Sequence, residues 1–119
     1  MQQIQIPPLA EGEIYLCGIA DANGVVEHTV IIGINNDGAS WQKHLDWAKS
    51  LGGDLTNRIE QAVIRARRPE LVEEAAYWSN TEVEWDSSYA WCQSFDDGFQ
   101  YYNRKGAALR AVAVRRFKN

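Results

Sequence analysis

Cysteine, histidine and positive charge are all scarce in this chain of 119 residues, and each shortage removes a class of explanation. Cys17 and Cys92 are too few and too far apart for a zinc site or a disulfide framework. Each sits in an apolar or aromatic run, which favours buried free thiols; the alternative is one bridge closing a long loop in an oxidising compartment. His28 and His44 are the only histidines, and neither has an acid and a nucleophile at motif spacing. No Gly-x-Ser-x-Gly, His-Glu-x-x-His, phosphate loop or dinucleotide fingerprint occurs, so the expectation is a non-enzymatic protein without cofactor. The residual catalytic reading needs His44, Asp54 and Glu82 to converge by folding.

Lys and Arg number 12 against 16 Asp and Glu, a formal net charge of −4. That balance offers no general attraction to phosphate backbones or anionic membranes, so direct nucleic-acid binding is not expected. No stretch approaches the roughly 20 apolar residues of a membrane span, and Met1–Pro8 lacks the basic and apolar regions of a signal peptide. A cytoplasmic location follows as the expectation. With hydrophobic residues at 45% and charged residues at 24%, disorder is disfavoured. The length suits one domain over residues 1–119, with residues 1–10 as an extended N-terminal arm.

What is present has a clear order. Glu13–Ala20 and Glu27–Ile34 are apolar, β-branched runs around Asp21-Ala22-Asn23-Gly24, which predicts an opening β-hairpin. Asn35-Asn36-Asp37-Gly38 reads as a turn, and Ser40 as the cap of a helix carrying Trp41, Leu45, Ala48 and Leu51 on one stripe. Gly52-Gly53 ends it. Asn57 with Glu60 forms a capping-box pattern for a second helix, with Ile59, Ala62, Val63 and Ala66 as its apolar stripe and Pro69 as its stop.

From Tyr77 onward the period becomes strand-like. Asp96-Asp97-Gly98 predicts a hairpin turn into Phe99–Asn103, and Leu109–Phe117 a last strand with Val112 and Val114 on one face and Ala111 and Ala113 on the other. The order β-β-α-α followed by strands is an α+β pattern.

The same region is crowded with aromatics, and between Pro69 and Asn103 eight carboxylates occur without a Lys or Arg. Trp78, Trp91 and Phe95 read as core. Glu82, Glu84, Trp85, Asp86, Tyr89, Phe99, Tyr101 and Asn103 read as a partner-binding surface, because Tyr and Trp supply contact area at low entropic cost; Tyr102 stands among them, with surface and packing roles both open. Glu82, Glu84 and Asp86 alternate and would share one side of an extended segment. Calcium would need about six oxygens, so a solvated face is preferred and no metal is expected. The basic C-terminal segment is expected to balance this charge, with Arg110 or Arg115 pairing with Glu82.

Several blocks carry a family likeness. Asp46-Trp47-Ala48, Gly52-Gly53-Asp54-Leu55-Thr56-Asn57-Arg58, Tyr77-Trp78-Ser79-Asn80-Thr81-Glu82, Phe95-Asp96-Asp97-Gly98 and Leu109–Arg115 together resemble the Lcl C-terminal domain family. The resemblance spans about residues 40–117. It implies a C-type-lectin-like fold: two helices packed on a small twisted antiparallel sheet, with an N-terminal β-hairpin. Calcium-dependent sugar binding is not implied, since Glu-Pro-Asn, Gln-Pro-Asp and Trp-Asn-Asp runs are all missing. Relatives of this kind occur in phage and prophage proteins. The implied function is a binding module for a protein or surface receptor, in the host cytoplasm or on the virion. The alternative is a small intracellular phage inhibitor of a host nucleic-acid-binding defence complex.

Overall fold

The computed structural model describes residues 6–118; residues 1–5 of the expected N-terminal arm lie outside the described residues. The opening hairpin forms as expected. Strand β1 (Ile14–Ala20) turns through Asp21–Gly24 into β2 (Val26–Ala39). Gly24 takes a φ of 78°, and the Asp21 carboxylate accepts the amides of Asn23 and Val25.

β2 runs further than the sequence suggests. Asn35–Gly38 is not a turn; it lies within the strand, where the pairing to the last strand shifts between Asn35 and Ala39. The polar residues serve an irregular stretch of strand. Asn35 accepts the Asp37 amide, and Asn36 accepts the Tyr77 hydroxyl at 2.6 Å.

Helix α1 (Trp41–Ser50) is capped by Ser40, whose side chain accepts the Lys43 amide. After the short strand β3 (Asp54–Leu55), helix α2 (Arg58–Arg67) opens on a complete Asn57/Glu60 capping box. A 3-10 turn at Pro69–Leu71 leads to β4 (Ala76–Val83), β5 (Asp86–Ser94), β6 (Gln100–Arg104) and β7 (Leu109–Lys118).

Among the described residues the strands form one sheet of seven in the order β1-β2-β7-β4-β5-β6, with β3 also paired to β7. The molecule is an α+β fold with two helices on a mixed sheet. The expected all-antiparallel sheet is corrected at one place, the parallel pairing of β4 with β7 at Tyr77 and Arg110. That pairing arises because the last strand enters the middle of the sheet.

The last strand divides the core as its alternation predicts. Ala111 and Ala113 belong to one cluster with Trp41, Ala48, Leu55, Trp78, Ala90 and Cys92, against α1. Val112 and Val114 belong to a second with Ile31, Ile64, Tyr77 and Phe95, against α2. The small alanines leave room for the indoles. Each buried ring also satisfies its polar atom: Trp41 Nε1 donates to the Ser79 carbonyl at 2.8 Å and Trp78 Nε1 to that of Ala39 at 3.1 Å.

Helix α2 packs by a different face from the one its apolar stripe predicts. Glu60, Gln61 and Ile64 are buried, whereas Ile59, Ala62 and Ala66 are exposed and Val63 is half-buried. The reason is a polar network that periodicity does not register. Arg116 reaches from β7 to Glu60 at 2.7 Å and to Asp54 at 2.9 Å, and Thr29 donates to the same Glu60 carboxylate. Gln61 donates to the Tyr77 carbonyl. A carboxylate so fully partnered can be buried, and it turns the helix accordingly. These two acids hold the Arg116 guanidinium firmly charged, well above its ordinary range.

Candidate recognition surface

Pairing of Val83 with Asp86 makes Glu84-Trp85 the tip of the β4–β5 hairpin, so the indole of Trp85 cannot enter either core cluster. It is 66% exposed. It is nonetheless held edge-on against Trp91 (centroids 6.1 Å apart) and Tyr102 (5.7 Å). Tyr102 in turn meets Trp91 at 5.4 Å and Tyr89 at 5.6 Å, both near-perpendicular. Such edge-to-face pairs contribute about 0.5–1.5 kcal/mol each beyond their buried area.

Strand register explains the grouping. On β5 and β6, Trp91 pairs with Tyr102 and Tyr89 with Arg104, while Cys92 pairs with Tyr101 and Ala90 with Asn103. Side chains alternate between the two faces of a strand. Tyr89, Trp91, Tyr102 and Arg104 therefore share one face. Tyr101 and Asn103 fall on the other, beside the core residues Cys92 and Ala90.

Of the expected binding residues, the structure brings together Trp85 and Tyr89, with Glu84 and Asp86 flanking the indole in sequence. It separates the rest. Phe99, 71% exposed, stands in the β5–β6 turn, which about 16 Å of strand divides from Tyr89. Glu82 pairs with Lys105 at 3.2 Å, not with Arg110 or Arg115; Arg115 is instead engaged by Glu13 at 2.6 Å. Glu82 and Asp86 stand on successive strands, so the hairpin tip breaks the single acidic side expected for Glu82, Glu84 and Asp86.

Trp91, expected in the core with Trp78 and Phe95, is half-buried and belongs to the surface cluster. Two cations also escaped the sequence reading. Arg58 lies 3.8 Å from the Trp91 ring centre and Arg104 5.4 Å from that of Tyr89, both within cation–π reach. Arg104, two residues after Tyr102 and so on the same strand face, could have been found by counting register back from the Asp96–Gly98 turn. Arg58 could not, because its neighbour is set by how α2 docks.

The residues of the catalytic alternative do not converge. His44 Nε2 contacts the carbonyl oxygens of Leu109 and Asp37, Asp54 is bound by Arg116 and Asn80, and Glu82 by Lys105. Among the described residues no three His, Cys, Asp or Glu side chains group as metal ligands, and no helix is long and apolar enough to cross a membrane. Both cysteines are free thiols. Burial pushes Cys92 up to about 11, whereas Cys17 is only half-buried, with burial also raising its thiol.

Comparison of the chain with protein-family models and with curated proteins gives no significant match.

Proposed function

We propose that this chain is a non-enzymatic binding module that recognises a protein or surface partner through the face bearing Trp85, Tyr89, Trp91 and Tyr102. The observation that carries the reading is the state of Trp85: largely exposed, yet fixed by two perpendicular aromatic contacts. An exposed indole already immobilised loses little conformational entropy on binding, which is how aromatic residues become interface hot spots. Glu84 and Asp86, flanking the indole in sequence, and Arg58 and Arg104, over the Trp91 and Tyr89 rings, bring charges of both signs to the apolar centre. The C-type-lectin-like reading of the scaffold and its phage or prophage origin belong to the same proposal, which rests on the resemblance of the residue blocks named above to the Lcl C-terminal domain family.

The test is affinity purification from host extract with the wild type, the Trp85→Ala/Tyr102→Ala double variant and Tyr101→Ala. Proteins captured by the wild type should be lost with the double variant and kept with Tyr101→Ala, all three melting cooperatively. An unchanged set of captured proteins in the double variant removes the proposal.

A second reading, occupation of a basic surface on a host nucleic-acid-binding complex, draws on exposed carboxylates. Glu73, Glu74, Glu84, Asp86, Asp96 and Asp97 are all exposed and form no ion pair among the described residues. Capture that collapses with added salt and competes with DNA would favour it. Salt-insensitive capture rejects it.

A further inference from the structure

Because Glu60 and Gln61 take the inner side of α2, its apolar stripe is left facing water. Ile59 is 62% exposed, and Ala62 and Ala66 stand beside it on the same surface. A groove runs along each flank of this ridge. One, of about 610 Å³, lies between α2 and the β5–β6 strands and is lined by Ile59, Ala62, Ala66, Gln93, Gly98 and Gln100 together with Arg58 and Arg65. The other, of about 530 Å³, is walled by Leu16 and Cys17 of β1 and ends at Arg67.

The shape fits a helix. Ile59 to Ala66 spans about two helical turns, or roughly 10 Å, the length over which an amphipathic helix places anchors at i, i+3 or i+4, and i+7. Alanine at two of the three ridge positions lets a second helix axis approach to about 8 Å.

The charge selects the partner. Arg58, Arg65 and Arg67 form no ion pair among the described residues. Arg65 Nε is buried without an acceptor among them, packed where a side chain at Gly98 would otherwise be. Arg58 donates to Gln100 and stacks on Trp91 but meets no carboxylate, and an apolar ridge rimmed by guanidinium groups without an acidic partner complements carboxylates. A second copy of the chain fits poorly: two α2 faces would set arginine against arginine, and α1 carries only one acid, Asp46.

We propose that the groove between α2 and the β5–β6 strands docks an acidic amphipathic helix of a partner protein, with apolar side chains on Ile59, Ala62 and Ala66 and carboxylates on Arg58 and Arg65. This site is distinct from the aromatic face, with Arg58 as the residue between them.

The experiment titrates the isotopically labelled full chain with a synthetic helical peptide of about four turns, leucine on one face and glutamate on the other. A second peptide replaces each glutamate with lysine. The acidic peptide should shift the amide signals of Ile59, Ala62 and Ala66, the basic peptide should not, and added salt should weaken binding. Arg65→Glu should weaken the acidic peptide about tenfold or more. Ala62→Arg, at an exposed position that leaves the spectrum elsewhere intact, should block it, and Lys49→Ala, at an exposed position on α1, should bind as the wild type does. The proposal is overturned if the acidic peptide fails to bind at millimolar concentration, if both peptides bind alike, or if shifts map elsewhere. Unchanged affinity in Ala62→Arg or Arg65→Glu, loss of binding in Lys49→Ala, or a dimer that already covers α2 would overturn it equally.

Discussion

Trp78 and Trp85 stand on one hairpin and meet opposite fates. Trp78 lies mid-strand on β4, where Ala90, Ala111 and Ala113 make space for it and Trp41 of α1 joins the same cluster; it is fully buried. Trp85 is at the hairpin tip, with only other surface rings to lean on. The side chain is the same, and position relative to small neighbours decides between burial in the core and exposure on the surface. Under the proposed function, stability and recognition fall on different parts of one hairpin, so substitutions should separate them.

The largest expected effect tests that separation directly. Trp78→Ala should cost about 3–5 kcal/mol in urea unfolding, because the cavity it leaves is walled by rigid sheet. Trp85→Ala should cost about 1 kcal/mol. Comparable losses at the two positions would break the contrast.

Arg116→Ala probes the stable end from its polar side. Removing the guanidinium leaves Glu60 buried without its cation, and about 3 kcal/mol should be lost, less than for a fully enclosed pair since Arg116 and Asp54 keep some solvent contact. A change within experimental error would mean that α2 is oriented by something other than this network.

A smaller effect concerns Glu13, which the Arg115 guanidinium and the Ala10 amide hold well below its ordinary value of 4.5, at about 2. A depressed carboxylate stabilises the fold fully above its unfolded value and loses that contribution as pH falls through the folded one. Glu13→Gln should therefore be less stable than the wild type at neutral pH, with the gap closing as pH falls from about 4.5 towards about 2. A gap independent of pH contradicts the pairing.

The smallest effect is chemical. At mildly alkaline pH a thiol reagent should label half-buried Cys17 well before Cys92, whose thiol is packed in the core and pushed up to about 11. Equal rates would mean that the β5 face opens as readily as the β1 edge.

Local chemistry made much of the fold legible. Asn-Gly marked the first turn, Ser40 and the Asn57/Glu60 pair marked both helix starts, and the Val/Ala alternation of the last strand announced a two-sided core. The surface was half legible. Trp85 and Tyr89 were identified by residue type, but Tyr101 and Asn103 were grouped with them because sequence proximity ignores strand parity. Tyr102 carries the same residue-type signal as Tyr101, whereas Trp91 reads as core because a large aromatic on a strand usually is.

The misassigned face of α2 has a different, long-range origin. Periodicity treats a charged residue as outward-facing, and Glu60 faces inward because Arg116, from the far end of the chain, and Thr29 meet it there. By itself the sequence determined what local hydrogen bonding and side-chain alternation can determine: turns, caps, strand faces and the α+β class. Only the tertiary structure decided which side of α2 is buried, which strand β7 lies beside and which aromatics meet. Those outcomes depend on contacts between residues distant in the chain, whose energies no local pattern contains.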